Sequence, residues 1–349
     1  MAEFAIFDGH NDTLLRFYQN EDSRCGDFLS GLEGGHIDLP RARQGGLAGG
    51  FFAVWVPNRD DRIDPSSMPD TSKPYAPPAV DHDYALAVAQ RMTADLFRIE
   101  AAAKGQVKVV RSANELQTCI EKGVFAAILH IEGAEAIDED LNALEVFYQA
   151  GLRSLGIVWS RPTIFAHGVP IAFPSSPDIG AGLTEAGARL VKRCNQLGVL
   201  IDLSHMNEAG FWDVAELSDA PLVATHSNAH ALCPISRNLT DRQLDAIKES
   251  DGMVGLNFAT GFLNEDGAWD SDRGLDAMVR HFDYLVERLG ETRVGFGSDF
   301  DGARVPDAVG DASMLPRLTA ALQAAGYDDA LLRKLAHQNW LRVLRKTWK

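Results

Sequence analysis

A (β/α)8 barrel of the TIM type, formed as one domain with long loop insertions, is the fold class that this sequence predicts. Three observations lead there. Eight short, nearly continuous apolar runs recur along the 349 residues. Amphipathic helical stripes separate them. Polar, metal-competent side chains stand just beyond several of the runs. Runs that are apolar without alternation suit parallel strands buried on both faces, and alternation of strand and helix suits a barrel more than an open doubly wound sheet, the second choice.

The eight expected strands are Phe4–Asp8, Gly50–Val56, Phe125–Ile131, Leu152–Trp159, Val199–Leu203, Leu222–Thr225, Met253–Phe258 and Val294–Ser298. Helices are expected at Asp83–Lys104, where Tyr84, Val88, Met92, Leu96 and Ile99 form one stripe, at Glu185–Gln196 with Thr184 as cap, and at Asp241–Lys248. Two proline-rich stretches, 57–81 and 159–183, each follow an expected strand, so in a barrel both belong to the catalytic face.

Composition narrows the function classes. A net charge of −16 disfavours nucleic acid and anionic lipid as partners. The four cysteines, Cys25, Cys119, Cys194 and Cys233, are scattered and form no C-x-x-C pair, which predicts reduced thiols rather than a disulfide framework. With no basic, apolar leader at the start and no run of the roughly 18–20 apolar residues that a bilayer requires, a cytoplasmic location is expected.

The chemistry collects at the strand ends. His10 and Asp12 follow the first run, Glu132 the third, His205 the fifth, His226 the sixth, and Asp299 and Asp301 the eighth. In a parallel barrel these positions converge on one mouth. Imidazole and carboxylate without thiolate suit zinc or a related divalent ion. Three histidines with at least two carboxylates exceed the set a single catalytic zinc uses, so two ions sharing Glu132 are expected. Such a pair makes a bridging hydroxide available near neutral pH, with Asp299 as its proton shuttle, and hydrolysis is the natural reaction class. Gly9 is expected to let the chain bend where the first strand delivers its ligands. His130, two residues before Glu132, shares its side of the strand. His36 is a candidate support for the site. His82, His281 and His337 fall on helical patterns and are expected to be ordinary partners or surface residues.

The motifs "DGHNDTLL", "HIDLPRARQGG", "HIEGAEAI", "IDLSHMN", "ATHSNAHALCPISRNLTD", "GFGSDFDG" and "LRKLAHQNWLRV" occur in an order that resembles the membrane (renal) dipeptidase family of zinc metallopeptidases, in its bacterial style. The resemblance implies one zinc on His10, Asp12 and Glu132, and a second on Glu132, His205 and His226. It further implies Asp299 as acid/base, Arg237 as the group that binds the carboxylate of a dipeptide substrate, and a homodimer. One departure stands out. Vertebrate members carry a substrate-binding histidine after the fourth barrel strand, where "LGIVWSRPT" offers Trp159 or Ser160. Trp159 and Ser160 are the candidates for that place, Trp159 also as a substrate contact, and Arg161, His167 and His230 are the candidates to take over its function. The departure leaves hydrolysis of an N-acyl amino acid, lactam or lactone as an alternative, with a non-catalytic binding barrel a remote third.

Overall fold

The computed structural model describes residues 4–20, 26–59, 71 and 75–349. Most of the first proline-rich stretch and Cys25 therefore lie outside the described residues. Among the described residues nine strands form one parallel sheet: β1 Ile6–Asn11, β2 Leu47–Trp55, β3 Val107–Val109, β4 Phe125–Glu132, β5 Leu152–Gly156, β6 Leu200–Asp202, β7 Val223–Ala224, β8 Met253–Leu256 and β9 Val294–Phe296. Their order is β2-β1-β9-β8-β7-β6-β5-β4-β3, and β2 also pairs with β4. That pairing closes eight of them into the expected barrel, with helices between successive strands.

All eight apolar runs become barrel strands, most with trimmed ends. The ninth strand, β3, was not expected. It pairs with Phe125–Ala127 at the start of β4, while β5 takes Leu129–Glu132 further along the same edge. Its three residues, Val-Lys-Val, are too few to carry a periodic signal. A second difference concerns β1, which runs on to Asn11 instead of stopping at Asp8, so His10 lies inside the strand. The register with β2 slips between Asp8 and Asn11. An irregularity of this kind re-aims side chains at a barrel rim. Gly9 sits in it for reasons of space as much as of bending: a Cβ there would come within 2.3 Å of the Thr225 carbonyl and 2.5 Å of the Trp340 ring.

Period two then sorts the barrel interior into levels. Phe7, Phe51, Ile128, Leu200, Val223 and Met253 form an apolar floor, into which the C-terminal helix Asn339–Thr347 inserts Trp340. Two residues further along β4, β6 and β7 the side chains turn polar, as in Ile128–His130–Glu132 and Leu200–Asp202. The strands thus carry buried polar groups upward to one mouth.

The helices follow their sequence signals. His82–Ala102 starts at an Asp81 cap, Glu185–Leu197 at Thr184, whose side chain accepts from the Gly187 N–H, and Asp241–Glu249 at a Thr240/Gln243 capping box. The 159–183 stretch is sewn to the C-terminal ends of the strands: the Val169 N–H donates to His205 O at 2.8 Å and the Ser175 N–H to Pro234 O at 2.9 Å. An antiparallel bridge joins Ile171 to Tyr75 of the other long stretch. Cys119, Cys194 and Cys233 are buried free thiols, as expected. Among the described residues no helix is long and apolar enough to cross a membrane.

Candidate metal centre

Glu132, the last residue of β4, stands at the middle of the mouth. Its Oε1 lies 3.2 Å from His205 Nε2 and 3.3 Å from His226 Nε2. Its Oε2 lies 3.6 Å from His10 Nε2, which in turn is 3.3 Å from Asp12 Oδ2. The His10 and His226 rings stack at 3.8 Å. Asp299 completes the cluster, with one ligand atom each of His10, Asp12 and Asp299 within 4.8 Å of one another. All six residues are at most 9% exposed. Five strand ends, those of β1, β4, β6, β7 and β9, thereby bring together every residue that the sequence nominated for metal and proton transfer.

Backbone strain marks the same place. Among the described non-glycine residues only six have positive φ, and His205 at 65°, Asp299 at 60° and Asp301 at 67° are three of them. Aspartate tolerates this region; histidine holds it at a cost of about 1–3 kcal/mol.

The electrostatics ask for a cation. Burial pushes the Glu132 pKa well above its usual range, and the Asp12 and Asp299 charges add to that against the opposing pull of His10. Burial also raises the Asp12 pKa. At His10 burial favours the neutral ring, yet the Glu132 charge and the Asp12 contact outweigh it and drive the pKa up to about 10. Burial, helped by the Arg237 and His10 charges, holds His205 and His226 well below the ordinary imidazole value, in the neutral form that ligates metal. Both ring nitrogens of His10 and Glu132 Oε1 are buried without a hydrogen-bond partner. Buried polar atoms left without partners, in a nitrogen and oxygen set, fit divalent transition ions.

Comparison with known proteins decides the family. A family model described as membrane dipeptidase (peptidase family M19) matches residues 1–349. The chain belongs to the membrane dipeptidase family. It is similar to a metallo peptidase from Rhodobacter sphaeroides, solved with a phosphinate mimic of the dipeptide L-Ala-D-Ala, at 54% identity over 99% of each chain and a TM-score of 0.96. A solved dipeptidase of family M19 matches at 54% identity, 99% of each chain and a TM-score of 0.93. An uncharacterized protein in the pqqA 5′ region of Klebsiella pneumoniae is 51% identical over 253 residues, which span 72% of this chain and 93% of that one. The protein is accordingly a metal-dependent dipeptidase.

The remaining nominated residues of the dipeptidase divide into two groups. Arg237 is buried and anchored, donating from one terminal nitrogen to Ser227 Oγ and from the other to His226 O, each at 2.7 Å, while its Nε has no hydrogen-bond partner. Burial lowers its pKa, against the Asp299, Asp202 and Glu132 charges that raise it, so it faces the acidic cluster. Trp159 lies with its ring 5.6 Å from that of His205 and 5.2 Å from that of Trp55. Arg161 and His230, by contrast, are engaged elsewhere. Arg161 is fully buried, donating to Glu135 Oε1 at 2.6 Å and to the Val56 carbonyl. His230 Nε2 meets Ser175 O at 2.9 Å, and His167 is exposed. His36 supports the site at one remove: its Nδ1 accepts the Asp301 N–H at 2.7 Å. Of the helical histidines, His281 is buried and bonded through both ring nitrogens, to Ala229 and Leu263.

Sequence reasoning missed the side chains that hold the cluster in place. Asn257, just past β8, donates to Asp299 Oδ2 at 2.9 Å. Ser160 Oγ lies 2.8 Å from His205 Nδ1. Thr225 Oγ1 lies 2.8 Å from His226 Nδ1 and donates to Asp202. A carboxylate at the end of the apolar run Leu200–Asp202 was the one available signal.

Proposed function

We propose that this dipeptidase binds two zinc ions, one on His10, Asp12 and Glu132 and the other on His205, His226 and the same Glu132. The observation that carries this reading is the placing of the two Glu132 oxygens, one toward His205 and His226 and the other toward His10. Held there, divalent ions supply Lewis acidity at the scissile carbonyl and lower the pKa of a coordinated water to near neutrality. Arg237 pairs with the C-terminal carboxylate of the dipeptide through its free donor face. Asp299, oriented by Asn257, accepts the proton of the attacking water and returns it to the departing amine. The Rhodobacter relative solved with an L-Ala-D-Ala mimic supports L,D-dipeptides as substrates, D-residues being accepted at the C-terminal position.

The test is a hydrolysis panel of L,L- and L,D-dipeptides, N-acyl amino acids and cyclic amides, with metal content measured on the same samples. Expected are fast turnover of L,D-dipeptides and two zinc ions per chain. Full turnover with one ion per chain would overturn the two-metal reading, and a preference for N-acyl or cyclic amides would overturn the substrate reading.

A further inference from the structure

Asp202 ends β6 with its side chain 1% exposed, directly below the cluster. Three groups donate to it: the N–H of Ser204 at 3.0 Å and of Thr225 at 2.8 Å to Oδ1, and the Thr225 hydroxyl at 2.5 Å to Oδ2. An ionised carboxylate only accepts, so the Thr225 proton is committed to Asp202. The hydroxyl oxygen can then only accept from its other neighbour, His226 Nδ1, at 2.8 Å. The consequence reaches the mouth of the barrel. With its proton on Nδ1, His226 turns a bare Nε2 toward Glu132 and His205. His205 lacks such a chain, because its neighbour Ser160 is a hydroxyl free to rotate as donor or acceptor.

Thr225 is itself held rigidly. Its carbonyl is approached by three glycines, Gly9, Gly255 and Gly297, at each of which a Cβ would come within 2.3, 2.0 and 2.1 Å of that oxygen. The hydroxyl thus sits on backbone that has little room to shift.

We infer that Asp202 and Thr225 are positioning residues that act in series to fix the tautomer and direction of His226, and through it the affinity of one of the two metal positions. This rests on the reading of His226 as a ligand. Outer partners of ligating histidines raise metal affinity by 10–100-fold.

The Asp202→Asn variant is nearly isosteric. Its amide oxygen still accepts the two N–H groups, but its amide nitrogen now donates to the Thr225 oxygen, which turns the hydroxyl proton toward His226 Nδ1 and moves the ring proton to Nε2. Two readouts apply: zinc affinity by chelator competition, and long-range 1H–15N NMR of the metal-free protein, which reports which ring nitrogen bears the proton. Expected for Asp202→Asn is a 10–100-fold weaker affinity at one position, with the other unchanged, and transfer of the His226 proton from Nδ1 to Nε2. A second pair covers the case in which that variant fails to fold: Thr225→Ser keeps wild-type affinity and tautomer, whereas Thr225→Val loses both. Equal behaviour of the Ser and Val variants, or wild-type affinity and tautomer in Asp202→Asn, overturns the inference. The His226→Ala variant separates the two readings. If it keeps both ions, the assignment of the metal centre fails; if it loses one ion while Asp202→Asn keeps wild-type affinity, the relay alone fails.

Discussion

Replacing Asp299 with asparagine isolates proton transfer from everything else this residue does. The backbone at this position has φ 60°, which asparagine tolerates as well as aspartate. The carbonyl of the new side chain can still accept the Asn257 amide that now meets Asp299 Oδ2 at 2.9 Å, so the orientation is kept. Five nominated ligands remain, and Glu132 still links the two groups of histidines. What is lost is a group that can take up and return a proton. Removing a positioned acid/base lowers turnover by about 10²–10⁴-fold, equivalent to roughly 2.7–5.4 kcal/mol in the barrier. The assay is kcat on an L,D-dipeptide from pH 5 to 10, with zinc content determined on the same preparations. A variant with both ions and kcat within about threefold of wild type would remove Asp299 from the mechanism. A variant that lost an ion would instead make Asp299 a ligand.

Two further predictions draw on other parts of the site and fold. Replacing Arg237 with methionine removes a buried charge partner worth about 2–5 kcal/mol, so kcat/KM for free dipeptides falls by roughly 30-fold or more, while dipeptide amides, which lack the carboxylate, show little change; an equal loss on both would place Arg237 elsewhere in the chemistry. His281 has a pKa lowered to about 4 by burial, so the folded protein takes up its proton less readily than the unfolded chain. Its contribution to stability is present above pH 6.5 and is lost as pH falls from 6.5 to 4, by about 3 kcal/mol in all. Urea titrations across that window show a shallower pH slope in His281→Gln than in the wild type.

What the sequence made legible was chemistry of unusual cost. A histidine or carboxylate at the end of an apolar run has to be buried with a partner or a metal, and five such ends in one alternating pattern define a common mouth. His10, Asp12, Glu132, His205, His226 and Asp299 could be read in this way. Thr225 could not, and Asp202 offered only its place at the end of the run Leu200–Asp202, because the link between the two appears once β6 and β7 lie side by side. Asn257 is a polar residue of a type that also fills ordinary loops, and nothing in its spacing marks it; Ser160 stood out only through its alignment with the family histidine, not as a partner of His205. The strand β3 escaped because three residues carry no period, and β1 was cut short because the polar residues that close it look like the start of a turn.

Arg161 shows how a residue's place in the sequence and its partners in the fold can point in different directions. An arginine two residues beyond the missing family histidine looks like a substitute donor. In the folded protein its guanidinium is held by Glu135 and the Val56 carbonyl, and it lies 5.4 and 5.7 Å from the Trp55 and Trp159 rings. Its effect is to brace the Trp159 indole, one of the two residues that the resemblance aligns with the family histidine. His230 Nε2 is likewise engaged, with Ser175 O. With Trp159 taken as the aligned residue, a flat aromatic face packed against His205 stands where the family has its histidine. On the proposed reading, a wall of this kind selects substrates by contact area, about 1–3 kcal/mol per methylene, whereas a buried donor would reject any partner lacking its acceptor far more strongly. Stringency then falls on the Arg237 end of the dipeptide, where the free carboxylate is read, and the side chain against Trp159 is left broad. On the same proposed reading, a tryptophan in place of that histidine relaxes what the enzyme accepts without touching the residues proposed for hydrolysis.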